Sequence, residues 1–346
     1  MKMNNSLYLP AEWHRQSAVQ LTWPHEGTDW APLLKDVEEC YLCMAKEIAR
    51  RARLIVVTPH PTEVGQLLKD RLGKELRANI SLYEITTDDT WARDHGFLTL
   101  LDTEGGKPHL LDFRFNAWGQ KFPSAQDNLI CRRMAEMGAA EGVYESHQDF
   151  VLEGGSIESD GKGTLLTTAS CLLSPNRNEP LSLGQIEKEL KRRLHAERVL
   201  WLHHGYLAGD DTDSHVDTLA RLCPEDTIAY VQCMDTEDEH YKELTLMEEE
   251  LKRLTTREGK PYRLVPLPMA APMYDEEGGR LPATYANFLI TNGAVLMPTY
   301  AHPQLDHEAR EQLQKAFPEY EIVGIDCRVL VTQHGSLHCS TMQYPC

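Results

Sequence analysis

Helical and extended patterns alternate along the whole chain. Between residues 33 and 52, Leu33, Leu34, Val37, Tyr41, Met44, Ala45 and Ile48 recur at helical spacing. An apolar strand-like run, Leu54-Ile55-Val56-Val57, follows at once. The helical pattern returns at 237–254 with Leu244, Met247, Leu251 and Leu254, from Ile186 to Leu194, and from Glu308 to Phe317. Short apolar and β-branched runs predict strands at 98–101, 150–152, 164–167, 227–232, 287–291, 294–297 and 328–332. Helices and strands mixed over the full length predict an α/β fold.

No linker, low-complexity run or short-period repeat divides the chain. Its 346 residues suit one large domain or two tightly packed ones. A coarser regularity is present. Polar clusters follow apolar runs near 91–96, 153–158, 210–217, 292–293 and 334–339. Loops at one end of several strands would bring such clusters together.

Composition narrows the classes. Hydrophobic residues are 41% of the chain, enough for a sizeable core, and no run is long and apolar enough to span a bilayer. The start, Met-Lys-Met-Asn-Asn-Ser and then Leu-Tyr-Leu-Pro, has no apolar signal core, so the expected location is the cytoplasm, away from a membrane. The nine cysteines are scattered rather than regularly spaced and are expected to be reduced thiols. Cys40 and Cys43 fall inside the first helix and read as packing. The formal charge of −18 argues against a nucleic-acid partner and suits a small cationic one.

Four clusters carry candidate chemistry. Thr90-Trp91-Ala92-Arg93-Asp94-His95-Gly96 is most simply a structural ion pair. Leu152-Glu153-Gly154-Gly155-Ser156-Ile157-Glu158 is most simply a hairpin turn, its glycines allowing close backbone approach. Gly209 to Asp217 packs four carboxylates and His215 into nine residues. A solvated acidic loop is the plain reading. A calcium loop of the EF-hand type lacks its glycine and glutamate at the required positions. His215 and Asp217 would share one side of an extended segment. In His334-Gly335-Ser336-Leu337-His338-Cys339-Ser340, the cysteine is either an inert filler or a partly exposed thiol of low pKa.

Taken together and in order, these segments resemble the agmatine deiminases of the guanidine-modifying superfamily. The likeness runs nearly end to end. It takes in Leu9-Pro10-Ala11-Glu12-Trp13, Thr22-Trp23-Pro24-His25, Asp89 to Asp94, Phe115-Asn116-Ala117-Trp118-Gly119, Leu152 to Glu158, Pro175-Asn176-Arg177-Asn178, Gly209 to Asp217, Tyr285-Ala286-Asn287-Phe288 and His338-Cys339. The resemblance implies a single catalytic domain over residues 1–346, folded as a five-bladed α/β propeller of ββαβ-type units. It implies hydrolysis of agmatine to N-carbamoylputrescine and ammonia, with no cofactor or metal. By motif, Cys339 would be the nucleophile, His215 the general acid and base, and Glu153 its orienting carboxylate. Asp94 and Asp217 would grip the guanidinium, and Trp91 and Asp211 would meet the distal amine. A homodimer is a further expectation. The chain departs from the commoner Gly-Gly-Gly-Asn-Ile-His-Cys before the nucleophile, reading Gln333-His334-Gly335-Ser336-Leu337-His338-Cys339, and again after Gly119. Both departures bear on substrate choice more than on reaction type.

Three rivals follow from the same residues. A sibling enzyme would act on free or peptidyl arginine, with Arg93, Arg114 or Arg177 meeting a carboxylate. A metal-dependent hydrolase would use His215, Asp217, Asp211 and His338. A non-catalytic guanidine or polyamine binder would have no use for the thiol.

Overall fold

The computed structural model describes residues 6–346. The reading of the N-terminus as free of a signal segment rests partly on residues 1–5, which lie outside the described residues. No helix among the described residues is long and apolar enough to cross a membrane.

The mixed α/β reading holds, and the strands form five sheets among the described residues. One architecture recurs: an antiparallel pair, then a helix, then a third strand parallel to the second. Ile157–Ser159 and Thr164–Thr168 pair antiparallel, helix Leu183–Arg193 crosses over, and Arg198–Leu202 joins in parallel. Ala220–Cys223, Thr227–Gln232, helix Tyr241–Leu251 and Arg263–Pro268 repeat it. So do Leu289–Thr291, Ala294–Thr299, helix Pro303–Ala316 and Glu321–Asp326. Leu98–Asp102, His109–Arg114, helix Ile130–Glu136 and Val143–Val151 do the same, with Leu7–Tyr8 added at the edge. In the remaining sheet the C-terminal strand Thr341–Pro345 pairs antiparallel with Gln16–Thr22. Helix Leu34–Ala49 leads to Arg53–Thr58 in parallel, and Ile80–Glu84 extends the sheet. The two ends of the chain therefore complete one unit.

The central strands Arg53–Thr58, Thr227–Gln232 and Ala294–Thr299 are buried almost throughout, which explains their apolar runs. In Arg53–Thr58, Leu54 and Val56 enter one core and Ile55 and Val57 another. The stripe Val37, Tyr41, Met44 and Ile48 of helix Leu34–Ala49 belongs to the first.

Three expectations need correction. Residues 328–332 are not a strand. Arg328–Val331 is a single helical turn, opened by Asp326 Oδ1 accepting the Arg328 amide at 3.1 Å. A run of three apolar residues, Val329-Leu330-Val331, does not distinguish the two states. His215 and Asp217 do not lie on an extended segment, because Val216–Thr218 is a 3-10 turn. The polar cluster at 292–293 is a hairpin tip: Asn292 bonds Gln16 and Arg51 at the far end of its strands.

The repeat explains the remaining clusters. The segment entering each antiparallel pair carries one polar group or more: Asp94 before Leu98, Glu153 before Ile157, His215 and Asp217 before Ala220, Asn287 before Leu289, and Cys339 before Thr341.

Candidate active site

Cys339 is buried, 6% exposed. Its position is set by Asn287, whose Oδ1 accepts the backbone amides of His338 (2.9 Å) and Cys339 (3.2 Å). The Asn287 Nδ2 donates to Cys339 Sγ at 3.2 Å and to Asp217 Oδ2 at 3.3 Å. Burial, then the Asp217 and Asp94 carboxylates, push the thiol well above its ordinary pKa.

Three further groups converge on one backbone position. A Cβ added at Gly155 would stand 2.7 Å from His215 Nδ1, 2.9 Å from Asp94 Oδ1 and 3.0 Å from Asp217 Oδ2. Only a glycine permits that approach, so the hairpin-turn reading of Glu153-Gly154-Gly155 gives way to a 3-10 turn, Gly154–Ser156, at the centre of the cluster.

Asp94 lies on the short helical turn Ala92–His95. Its Oδ1 accepts the Gly155 amide and its Oδ2 the Trp118 indole N–H, each at 3.0 Å. Burial pushes it up to about 6; His215 opposes, while Asp217 and Glu153 add to the shift. Asp217 differs. Burial would raise it, but the His338 hydrogen bond to Oδ2 (2.7 Å) and its neighbouring charges outweigh that and lower it. Its Oδ1 has no partner.

His215 is fully buried, and both ring nitrogens lack hydrogen-bond partners. Its Nδ1 stands 3.7 Å from Asp94 Oδ1. Burial works against charge on the ring, yet Asp94 first, then Cys171 and then Glu153, outweigh it, raising His215 to about 10. The ligating atoms of Glu153, Cys171 and His215 lie within 4.8 Å of one another. Glu153 is in turn clasped by Arg177 Nε at 3.0 and 3.2 Å.

The acidic loop is relieved by separation and by partners. Asp210 organises the turn, accepting the Thr212 and Ser214 amides at 3.0 and 2.6 Å. Asp213 pairs with Arg177 at 2.6 Å and Lys121 at 2.9 Å. Asp211 sits at the rim, 3.8 Å from His334 Nδ1.

Cys339 and Asp94 open into a cavity of about 160 Å³. Trp91, Trp118 and Phe122 supply its aromatic walls, and Asp29, Asp89 and Asp211 share the lining with no arginine or lysine. Trp91 lies against Gly335, where a Cβ would clash with the indole, and donates its N–H to Asp89 at 2.9 Å. His215, Asp217 and Glu153 are not in the lining; they pack behind it around Gly155 and Asn287. A larger cleft, about 580 Å³, lies elsewhere beside Tyr8, Arg53 and Cys346, with none of these groups in its walls.

The expected residues are thus gathered, and others join them. Asn287, Trp118 and Arg177 carry geometry that motif reading did not assign to them, although all lie in matched segments, whereas the close approach read for the glycines is found at Gly155. The basic residues weighed for a carboxylate do not reach the cavity. Arg93 is buried against Glu12 (3.0 Å) and Gln343, Arg177 against Glu153, and Arg114 is exposed. The metal-ligand set does not assemble as weighed, since Asp211 stands at the rim beside His334 while His338 Nδ1 is engaged with Asp217.

The sequence profile of the Porphyromonas-type peptidyl-arginine deiminases matches residues 8–345. An agmatine deiminase of Pseudomonas aeruginosa is 33% identical over 97% of this chain and 95% of its own. Among solved structures, a candidate arginine deiminase from Porphyromonas gingivalis is 55% identical with a TM-score of 0.91, covering 98% of both chains. A cysteine-to-serine variant of the agmatine deiminase of C. jejuni, solved with substrate bound, is 38% identical with a TM-score of 0.88, covering 98% of this chain and 96% of that one.

Proposed function

The chain belongs to the Porphyromonas-type peptidyl-arginine deiminase family, and from that premise we propose that it hydrolyses agmatine to N-carbamoylputrescine and ammonia. The observation that carries the choice of agmatine is the cavity itself. A nucleophilic thiol and a carboxylate face a space lined also by Asp29, Asp89 and Asp211, with His334 beside Asp211 and no arginine or lysine. A guanidinium at one end and an ammonium at the other suit such walls. An α-carboxylate would meet repulsion and no arginine.

Each side chain then has a role. Asp94 in the cavity wall and, behind that wall, the unpartnered Asp217 Oδ1 hold the planar guanidinium and fix its central carbon. The bound cation neutralises the two carboxylates that push the Cys339 thiol up, so substrate binding favours the thiolate. The thiolate forms the S–C bond, and the tetrahedral centre collapses with loss of one nitrogen. His215, already protonated, gives that nitrogen its proton, and ammonia leaves. The same imidazole then takes a proton from water, which attacks the thiouronium carbon. The S–C bond breaks, the hydroxyl proton passes to solvent, and the thiolate returns as the urea product is released. Glu153, fixed by Arg177, supports the imidazolium. Trp91 packs along the substrate's methylene chain, and Asp211 meets its ammonium.

The same reading takes the chain as one catalytic unit whose five sheets are the blades of a pentein-like propeller. The repeated pair-helix-strand unit and the pairing of the terminal strands support this. A cytoplasmic homodimer completes the proposal, and light scattering after size exclusion tests the dimer. The family's description keeps peptidyl arginine as a second reading. Ammonia release from agmatine, arginine and a peptidyl arginine, with Cys339→Ser as control, separates the two. The proposal fails if agmatine is not the preferred substrate.

A further inference from the structure

The segment Leu9-Pro10-Ala11-Glu12-Trp13 has no part in the chemistry above, yet Glu12 reaches the back of the site. Its Oε1 lies 3.0 Å from Arg93 Nη1 and 2.8 Å from His338 Nε2. Its Oε2 accepts from Arg221 Nη2 at 2.6 Å and from Gln343 at 3.2 Å. Arg221 is completely buried. It also bonds Glu158 and the carbonyls of Ala286 (2.9 Å) and Phe288 (2.5 Å), on either side of Asn287. The Arg221 Nη2 stands 3.0 Å from the same His338 Nε2. On its other side His338 offers Nδ1 to Asp217 Oδ2 at 2.7 Å.

We propose that Glu12, Arg221 and His338 are positioning residues for the guanidinium-binding carboxylate Asp217, with His338 holding one Asp217 oxygen so that the other is presented to substrate. This deepens the deiminase reading and rests on it. The argument is one of donors and acceptors. Asp217 offers only lone pairs to His338, so Nδ1 keeps its proton. That conclusion is the same whether Nε2 accepts from Arg221 or shares a proton with Glu12. A permanent donor leaves Asp217 ionised and able to rotate little, with Oδ1 as its remaining free face. Burying Glu12, Arg93, Arg221, Glu158 and Asp217 around one imidazole is costly unless each is paired, and each is paired here. The adjacent backbone adds a second constraint, because the His338 amide and the Cys339 amide share the Asn287 Oδ1. A shift of the imidazole would therefore move carboxylate and thiol together.

Two substitutions separate this role from simple packing. An asparagine amide can place a donor near the position of Nδ1, whereas a glutamine amide places it near Nε2 and leaves Asp217 without one. His338→Gln is expected to raise KM for agmatine about ten- to a hundred-fold, the loss of one hydrogen bond to a charged group. It is also expected to steepen the acid limb of kcat/KM, because Asp217 then titrates beside Asp94. His338→Asn is expected to keep KM within a few-fold of wild type. Thermal melts of both variants accompany the kinetics. If His338→Gln does not fold, Glu12→Gln carries the test, with KM raised several-fold and kcat retained. Wild-type KM and acid limb in His338→Gln would overturn the proposal, as would equal impairment of both His338 variants. In the Glu12→Gln test, an unchanged KM would overturn it. A wild-type enzyme that releases no ammonia from any of the three guanidinium substrates would instead remove the functional reading beneath it.

Discussion

The indole N–H of Trp118 donates to Asp94 Oδ2 at 3.0 Å, and it does so from a backbone turned to positive φ. Ala117 and Trp118 have φ of 50° and 55°, a region that non-glycine residues adopt at a cost. Asn116 steadies the turn, its Oδ1 accepting the Gly119 amide at 3.1 Å. The outcome is a carboxylate with both oxygens held by N–H donors before substrate arrives. Trp118→Phe keeps the ring and removes the donor. It is expected to raise KM for agmatine about ten-fold with a smaller change in kcat, read from steady-state ammonia release.

The pH dependence follows from Asp94. Its binding-competent form is the carboxylate, and its pKa is pushed up to about 6, burial being the largest cause. As pH falls through 6 the group gains a proton and loses the cation, so kcat/KM should fall with it. Bound substrate favours the ionised form, so the kcat profile should lack this limb or show it at lower pH. At the alkaline end His215 should lose its proton near 10 and with it the ability to protonate the leaving nitrogen. Profiles of wild type and Asp94→Asn between pH 5 and 10 check this. An acid limb near 6 surviving in Asp94→Asn would assign it to another group.

Arg177 joins a fully buried ion pair with Glu153 and a second pair with Asp213. Replacing it with methionine fills most of the volume but strands a buried carboxylate beside His215. Breaking a buried pair at one end costs about 3–5 kcal/mol. Denaturant titration of Arg177→Met should register a loss of that order. Surface pairs such as Arg132–Glu136, both mostly exposed, should give almost none.

Much of the fold could be read where burial imposes a period. Helix Leu34–Ala49 and strands Arg53–Thr58 and Thr227–Gln232 follow their apolar patterns closely. Val143–Val151 was legible only at its buried end, because most of its length faces solvent and is polar. Glu321–Asp326 escaped because its burial is partial and interrupted, and the apolar run after it curls into a helical turn. At the site, Cys339, His215, Glu153, Asp94 and Asp217 stood out as unusual residues in matched segments. Asn287 and Trp118 did not. An amide or indole becomes functional through the partner it meets, and theirs lie 52 and 24 positions away.

The central claim is that Cys339 sulfur bonds to the guanidinium carbon. Its most direct test is mass spectrometry of enzyme quenched in acid during turnover of agmatine, followed by mapping of the modified peptide. The account predicts agmatine less one ammonia attached to the peptide carrying Cys339, and neither adduct nor ammonia from Cys339→Ser. Release of ammonia by Cys339→Ser at the wild-type rate would contradict it.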